Sequence, residues 1–93
     1  MDGEVVHEPA RRRFVDRSGG SESQLIYVAG GEGFVELRST WVDPSARGRG
    51  VGEGLVLAAL AWAKGEGLKV IPTCWLVRTV VGRHPEYQPL LER

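Results

Sequence analysis

Ninety-three residues are enough for one compact domain that buries about two-thirds of its unfolded surface, and 42% apolar with 26% charged residues excludes a disordered, collagen-like or disulfide-scaffold chain. Twelve basic and twelve acidic side chains cancel to a formal charge of zero, so no long-range field draws in nucleic acid or an anionic bilayer, and any anion site has to be local. The single cysteine forms no intramolecular bridge and points to a reducing cytoplasm; Met1 to Pro9 lacks the basic-then-apolar order of a secretory signal, and the apolar run Leu55 to Ala63 is far short of the ~20 residues that span a bilayer.

Along the chain, Val5-Val6-His7 and Phe14-Val15 predict two short edge-type strands, separated by Pro9 and the run Arg11-Arg12-Arg13, which reads as a solvated strand edge. His7, like His84, has no neighbour that marks it as a base and reads as a surface or capping residue. Arg17 to Ser21 is a turn. Gln24 to Ala29 predicts a third strand with Leu25, Tyr27 and Ala29 on one face and Gln24, Ile26 and Val28 on the other. Gly30-Gly31-Glu32-Gly33 then turns the chain, and Phe34 to Val42 predicts a fourth strand that Asp43-Pro44 ends.

The next segment differs in kind: from Arg47 to Gly54 every second residue is glycine, and Leu55, Val56, Ala59, Leu60 and Ala63 follow at helical spacing. Gly65 and Gly67 are candidate left-handed stops, and Leu68 to Pro72 predicts a fifth strand. Thr73 as N-cap predicts a second helix over Cys74 to Val81 ending near Gly82, with His84 to Leu91 a tail of turn character. The order β-β-β-β-α-β-α describes an α+β or mixed α/β domain of about five strands, in which two or three helices cover a mostly antiparallel sheet.

A phosphate needs several donors converging on a small volume, and the glycine run opening a helix supplies them: unpartnered first-turn amides, backbone free to approach closely, and Arg47 and Arg49 nearby. Two common nucleotide loops are excluded by counting. The dinucleotide pattern G-x-G-x-x-G would place its third glycine at Glu53 or Leu55, and the Gly-Lys-Ser/Thr end of a Walker loop occurs nowhere. Arg47-x-x-Gly50-x-Gly52, after a strand and opening a helix, instead resembles the coenzyme A pyrophosphate loop of the GNAT superfamily of N-acetyltransferases. Val42-x-Pro44, the Arg/Gly loop, Pro72-x-Cys74 and His84-Pro85-Glu86-Tyr87 fall in the order of a minimal, single-domain GNAT-like family, and Arg13-Phe14 and Tyr27 extend the likeness toward the start. That family usually has His-Thr where this chain has Ser39-Thr40, so no role of that histidine carries over.

The resemblance implies one GNAT-like domain over residues 1–93 that moves an acetyl group from acetyl-CoA, without a metal, to a primary amine on a small molecule, a polyamine or a protein. The missing histidine leaves a non-catalytic acyl-CoA-binding or sensing module as the alternative. Cofactor contacts are expected from Trp41, Val42 and Asp43, with the pantetheine arm between splayed fourth and fifth strands, and from Arg47, Gly48, Arg49, Gly50, Val51, Gly52, Glu53 and Gly54, with the diphosphate held by amides from Arg49 to Gly54. Cys74 would face the thioester as nucleophile, as general acid for the leaving thiolate, or as an inert buried residue. Tyr87 is a second candidate proton donor or a packing residue, and Glu36 a candidate base acting through water or an exposed strand glutamate. Trp41, Trp62 and Trp75 pack the core or line the acyl channel. At this length the acceptor side is expected to be open.

Overall fold

The computed structural model describes residues 5–91. Its strands are β1 (Val5–Glu8), β2 (Arg13–Asp16), β3 (Ser23–Ala29), β4 (Phe34–Trp41) and β5 (Lys69–Ile71), and its α-helices are α1 (Val51–Gly65) and α2 (Trp75–Arg83). The sheet order β1-β2-β3-β4-β5 is antiparallel through β4, and β5 joins parallel to β4, as the α1 crossover requires. This is the α+β order read from the sequence.

Both helices lie on one face: α1 crosses all five strands and α2 packs on α1. Phe14, Leu25, Tyr27, Val35, Leu37 and Val70 meet Leu55, Val56, Ala59, Leu60 and Ala63 of α1 and Val77, Val80 and Val81 of α2 in one core. The alternation of β3 is as expected, Leu25 and Tyr27 being buried inward while Gln24, Ile26 and Val28 are half-buried on the uncovered face. The far end of α1 closes on Gly67 (φ 71°), with the Leu68 amide donating to Ala63 and that of Gly67 to Lys64, the paired bonds of a left-handed glycine stop; Gly65 stays inside the helix.

Three local expectations are corrected. The glycine run is loop only as far as Gly50, because α1 already starts at Val51 and takes in Gly52 and Gly54; burial of the apolar stripe outweighs their poor helix propensity. Cys74, not Thr73, occupies the N-cap position of α2, with no side-chain cap bond, the Thr73 hydroxyl being drawn to Glu36 at 2.5 Å, and the helix runs on through Gly82 to Arg83. His7 is no surface residue: it stacks on Phe14 (4.2 Å between centroids), meets Trp62 edge-on and bonds the Tyr27 hydroxyl at 2.6 Å. His84 does cap, its amide donating to Val80 and Val81 at the end of α2. Of the arginine run, Arg11 and Arg12 are solvated while Arg13 is half-buried against Glu8 and Gln24.

Candidate active site

The site begins where β4 and β5 part. They pair only at Phe34–Lys69, Val35–Val70 and Glu36–Ile71; Pro72 then leads β5 away while β4 continues to Trp41 without a β5 partner. The Cys74 amide spans the fork to the Leu37 carbonyl at 3.0 Å. Beyond it lies a cavity of about 320 Å³, walled by Thr40, Trp41 and Val42 of the β4 end, by the 46–52 turn, and by Cys74, Trp75 and Leu76 at the start of α2.

A β-bulge shapes the β4 wall. Tyr27 pairs with Leu37 but Ile26 with Ser39, so Arg38 has no cross-strand partner and the face alternation of β4 reverses after it. Thr40, opposite buried Leu25, therefore points to the helix side, and Ser39, opposite Ile26, to the uncovered face. The position where the resembled family carries histidine thus lies across the sheet from the cavity.

The roof is the turn into α1. Asp43 accepts from the amide and hydroxyl of Ser45, bonds that hold its carboxyl below the usual range, and its own amide donates to Ser23 Oγ at 3.0 Å. A single 3₁₀ turn, Pro44–Ala46, leads to Gly48 (φ 83°) and Gly50 (φ 78°), left-handed positions that glycine takes without strain. Gly50 is the N-cap of α1 and has no side chain to cap it. Among the described residues, the amides of Gly48 to Glu53 make no well-formed hydrogen bond, whereas the Gly54 amide is bound to the Gly50 carbonyl at 2.9 Å. Of the amides expected to face a diphosphate, that of Gly54 is thus tied into the helix, while that of Gly48, just outside the expected run, is free of such a bond.

Other expected contacts divide. Trp41, Val42, Arg47, Gly48, Gly50, Val51 and Gly52 line the cavity; Asp43, Arg49, Glu53 and Gly54 do not. Arg47 donates through Nε to the Val42 carbonyl at 3.0 Å and lies over the Trp41 ring. Arg49 reaches back toward Gly19. Glu53 accepts from His84 and Arg83, each at 2.9 Å; the His84 bond is the largest influence holding its carboxyl below the ordinary range, and the Arg83 charge adds to it. Gly52 has a packing reason to lack a side chain, since a Cβ there would lie 3.0 Å from a Leu76 methyl and 3.2 Å from a Val42 methyl.

Of the proposed chemical groups, Cys74 lies on the cavity wall, 7% exposed, with its sulfur 3.4 Å from Thr40 Oγ1. Glu36 stands at the fork on the uncovered face, bonded to Thr73 and 3.9 Å from Arg38, outside the cavity. Tyr87 packs near Lys64 in the last turn of α1 and does not line the cavity. Trp62 is core-packed, whereas Trp41 (51% exposed) and Trp75 (71%) flank the cavity. Thr40, Ala46 and Leu76 are wall residues that sequence reasoning missed; only the bulge, which alternation cannot reveal, brings Thr40 to this side.

A sequence profile of the GCN5-related N-acetyl-transferase family matches residues 13–90. The chain is similar to Protein NATD1 of Gallus gallus, 36% identical over 84 residues that make up 88% of this chain and 76% of the relative. It is equally similar to Protein NATD1 of Homo sapiens, 36% identical over 83 residues (87% and 74%), and of Danio rerio, 36% over 87 residues (89% and 79%). With the fork, the unpartnered helix start and the matched profile in agreement, the chain belongs to the GCN5-related N-acetyltransferase family.

Proposed function

We propose that this protein binds acetyl-CoA in the forked cavity and transfers the acetyl group to a primary amine that approaches from the uncovered side of the sheet. The observation that carries the reading is the run of unpartnered amides from Gly48 to Glu53 beside a cavity whose opposite wall holds Cys74. These residues fit a diphosphate: two left-handed glycines let the backbone close around an anion, the N-terminal helix dipole favours negative charge, and Arg47 supplies a cation at the cavity wall. The end of β4 past the β5 pairing, with Trp41 and Val42 on the cavity wall, would lie along a pantetheine arm.

The bound thioester would supply an already activated acyl group, so the protein's tasks are orientation and proton handling. Cys74 holds a proton at Sγ for a departing thiolate, an exchange between like groups. Glu36 supplies a carboxylate at the fork on the side where an amine enters, its position fixed by the Thr73 hydroxyl. An uncovered sheet face accommodates a protein amine or an extended polyamine as readily as a small molecule.

One observation favours a second reading, a coenzyme A-binding or sensing module without turnover: apart from Arg47 and Cys74, no ionisable side chain lines the cavity among the described residues. Incubation with acetyl-CoA and a panel of amines, with released coenzyme A resolved by chromatography, separates the two. Release above the uncatalysed rate that drops in Cys74→Ala supports transfer; binding of coenzyme A with no release for any amine supports the module.

A further inference from the structure

We infer that Thr40 is a positioning residue for Cys74: its hydroxyl holds the sulfur toward the cavity and donates to it once the thiol has given up its proton. The inference rests on the acetyl-transfer reading but concerns a residue which that reading does not require. Thr40 Oγ1 and Cys74 Sγ are 3.4 Å apart, a hydrogen-bonding distance for sulfur, and neither atom has another side-chain partner among the described residues.

Two features make the contact more than a packing coincidence. First, the unpaired Arg38 reverses the alternation of β4, and in a regular strand Thr40 would face the opposite side from Leu37. Second, the Cys74 main chain is pinned at both ends, its amide to the Leu37 carbonyl at 3.0 Å and its carbonyl to the Val77 amide at 3.1 Å, so the sulfur has little freedom besides χ1. The hydroxyl then selects the orientation that faces the cavity both residues line.

In the transfer, the electron pair of the broken carbon–sulfur bond stays on the departing coenzyme A sulfur, which takes the proton from Cys74 Sγ. The thiolate left behind accepts the Thr40 O–H bond in the half-buried wall until it regains a proton, through solvent, from the newly acylated nitrogen. Overall the amine proton ends on the coenzyme A thiol and Cys74 is restored. A hydroxyl bond to the sulfur as it gives up its proton in the transition state is worth about tenfold in rate.

The test compares wild type with Thr40→Val, which keeps volume and branching, Thr40→Ala, and Thr40→Ser, which restores the hydroxyl. The first readout is iodoacetamide alkylation of the sole cysteine by intact mass, with near-ultraviolet circular dichroism as the check on folding. About threefold slower alkylation is expected in the Val and Ala variants, which lose the hydroxyl that turns the sulfur toward the cavity. The second readout is turnover, with kcat about tenfold lower and KM for acetyl-CoA unchanged. Thr40→Ser should return both to within about twofold. Wild-type alkylation in a folded Val or Ala variant, or a Ser variant as impaired as Val, overturns the role. If wild type acetylates no amine, the transfer reading fails while the alkylation comparison still decides whether Thr40 governs the thiol.

Discussion

Gly52 and Gly54 sit two residues apart in the same helix, and replacing each with alanine should have different effects. In α1 interior positions alanine is favoured over glycine by about 0.5–1 kcal/mol, so Gly54→Ala, whose Cβ would meet nothing within 4 Å, should raise stability by roughly that amount. At Gly52 the new methyl would lie 3.2 Å from a Val42 methyl and 3.0 Å from a Leu76 methyl. Leu76 can rotate its end away, but Val42 is β-branched at the strand terminus, and overpacking of this kind costs about 1–3 kcal/mol. Gly52→Ala should therefore be neutral to about 2 kcal/mol less stable, and because both displaced side chains line the cavity it should also weaken coenzyme A binding about tenfold. Thermal melts and titration calorimetry measure the two effects: a rise of roughly 4 °C with unchanged affinity for Gly54→Ala, set against an unchanged or lower Tm with lost affinity for Gly52→Ala. If Gly52→Ala gained stability like its neighbour and bound coenzyme A like wild type, the close approach of α1 to the β4 end would not shape the site.

The packed ring of His7 should give the fold a pH dependence. Burial lowers its pKa below the ordinary 6.5, so the unfolded chain binds the extra proton first, and stability should decline as pH falls from about 6.5 toward the folded value; His7→Phe should flatten the melting temperature across that window. Glu53, whose pKa is lowered from 4.5 chiefly by its His84 bond, contributes stability present above that value and lost as pH falls through the folded one. Glu53→Gln should remove this part of the acid sensitivity, seen as a smaller difference between melts at pH 6 and pH 3.5. Gly50→Ala forces a Cβ into φ 78°, which costs about 1–2 kcal/mol, and urea denaturation should show that loss together with weakened coenzyme A binding.

What was legible in the sequence was periodic or local. The α1 stripe, the alternation of β3, the proline after β4 and the glycine stop after α1 each follow from one segment's own residues. The fork was legible only as a consequence of family resemblance, and the phosphate-loop glycines only as a pattern whose exact boundary depends on packing. Tertiary partners decided the rest. Thr73 does not cap α2 because Glu36, on another strand, takes its hydroxyl; His7 is not a surface residue because Phe14, Tyr27 and Trp62 converge on it. Thr40 could not be placed from alternation because one unpaired residue, Arg38, reverses the parity of everything after it. Arg49 reads as a phosphate-loop charge and Glu53 as a loop contact through its amide, yet the Arg49 side chain reaches toward the 18–20 turn and that of Glu53 is clasped by the end of α2.

The most direct measurement is an amide-resolved nuclear magnetic resonance titration with coenzyme A and, in parallel, with pantetheine, which lacks the diphosphate. Large shifts at the amides of Gly48 through Glu53 with coenzyme A, absent at those amides with pantetheine, are the expected result. Saturating coenzyme A that leaves those six amides unmoved, or pantetheine that moves them equally, would contradict a diphosphate held at the start of α1.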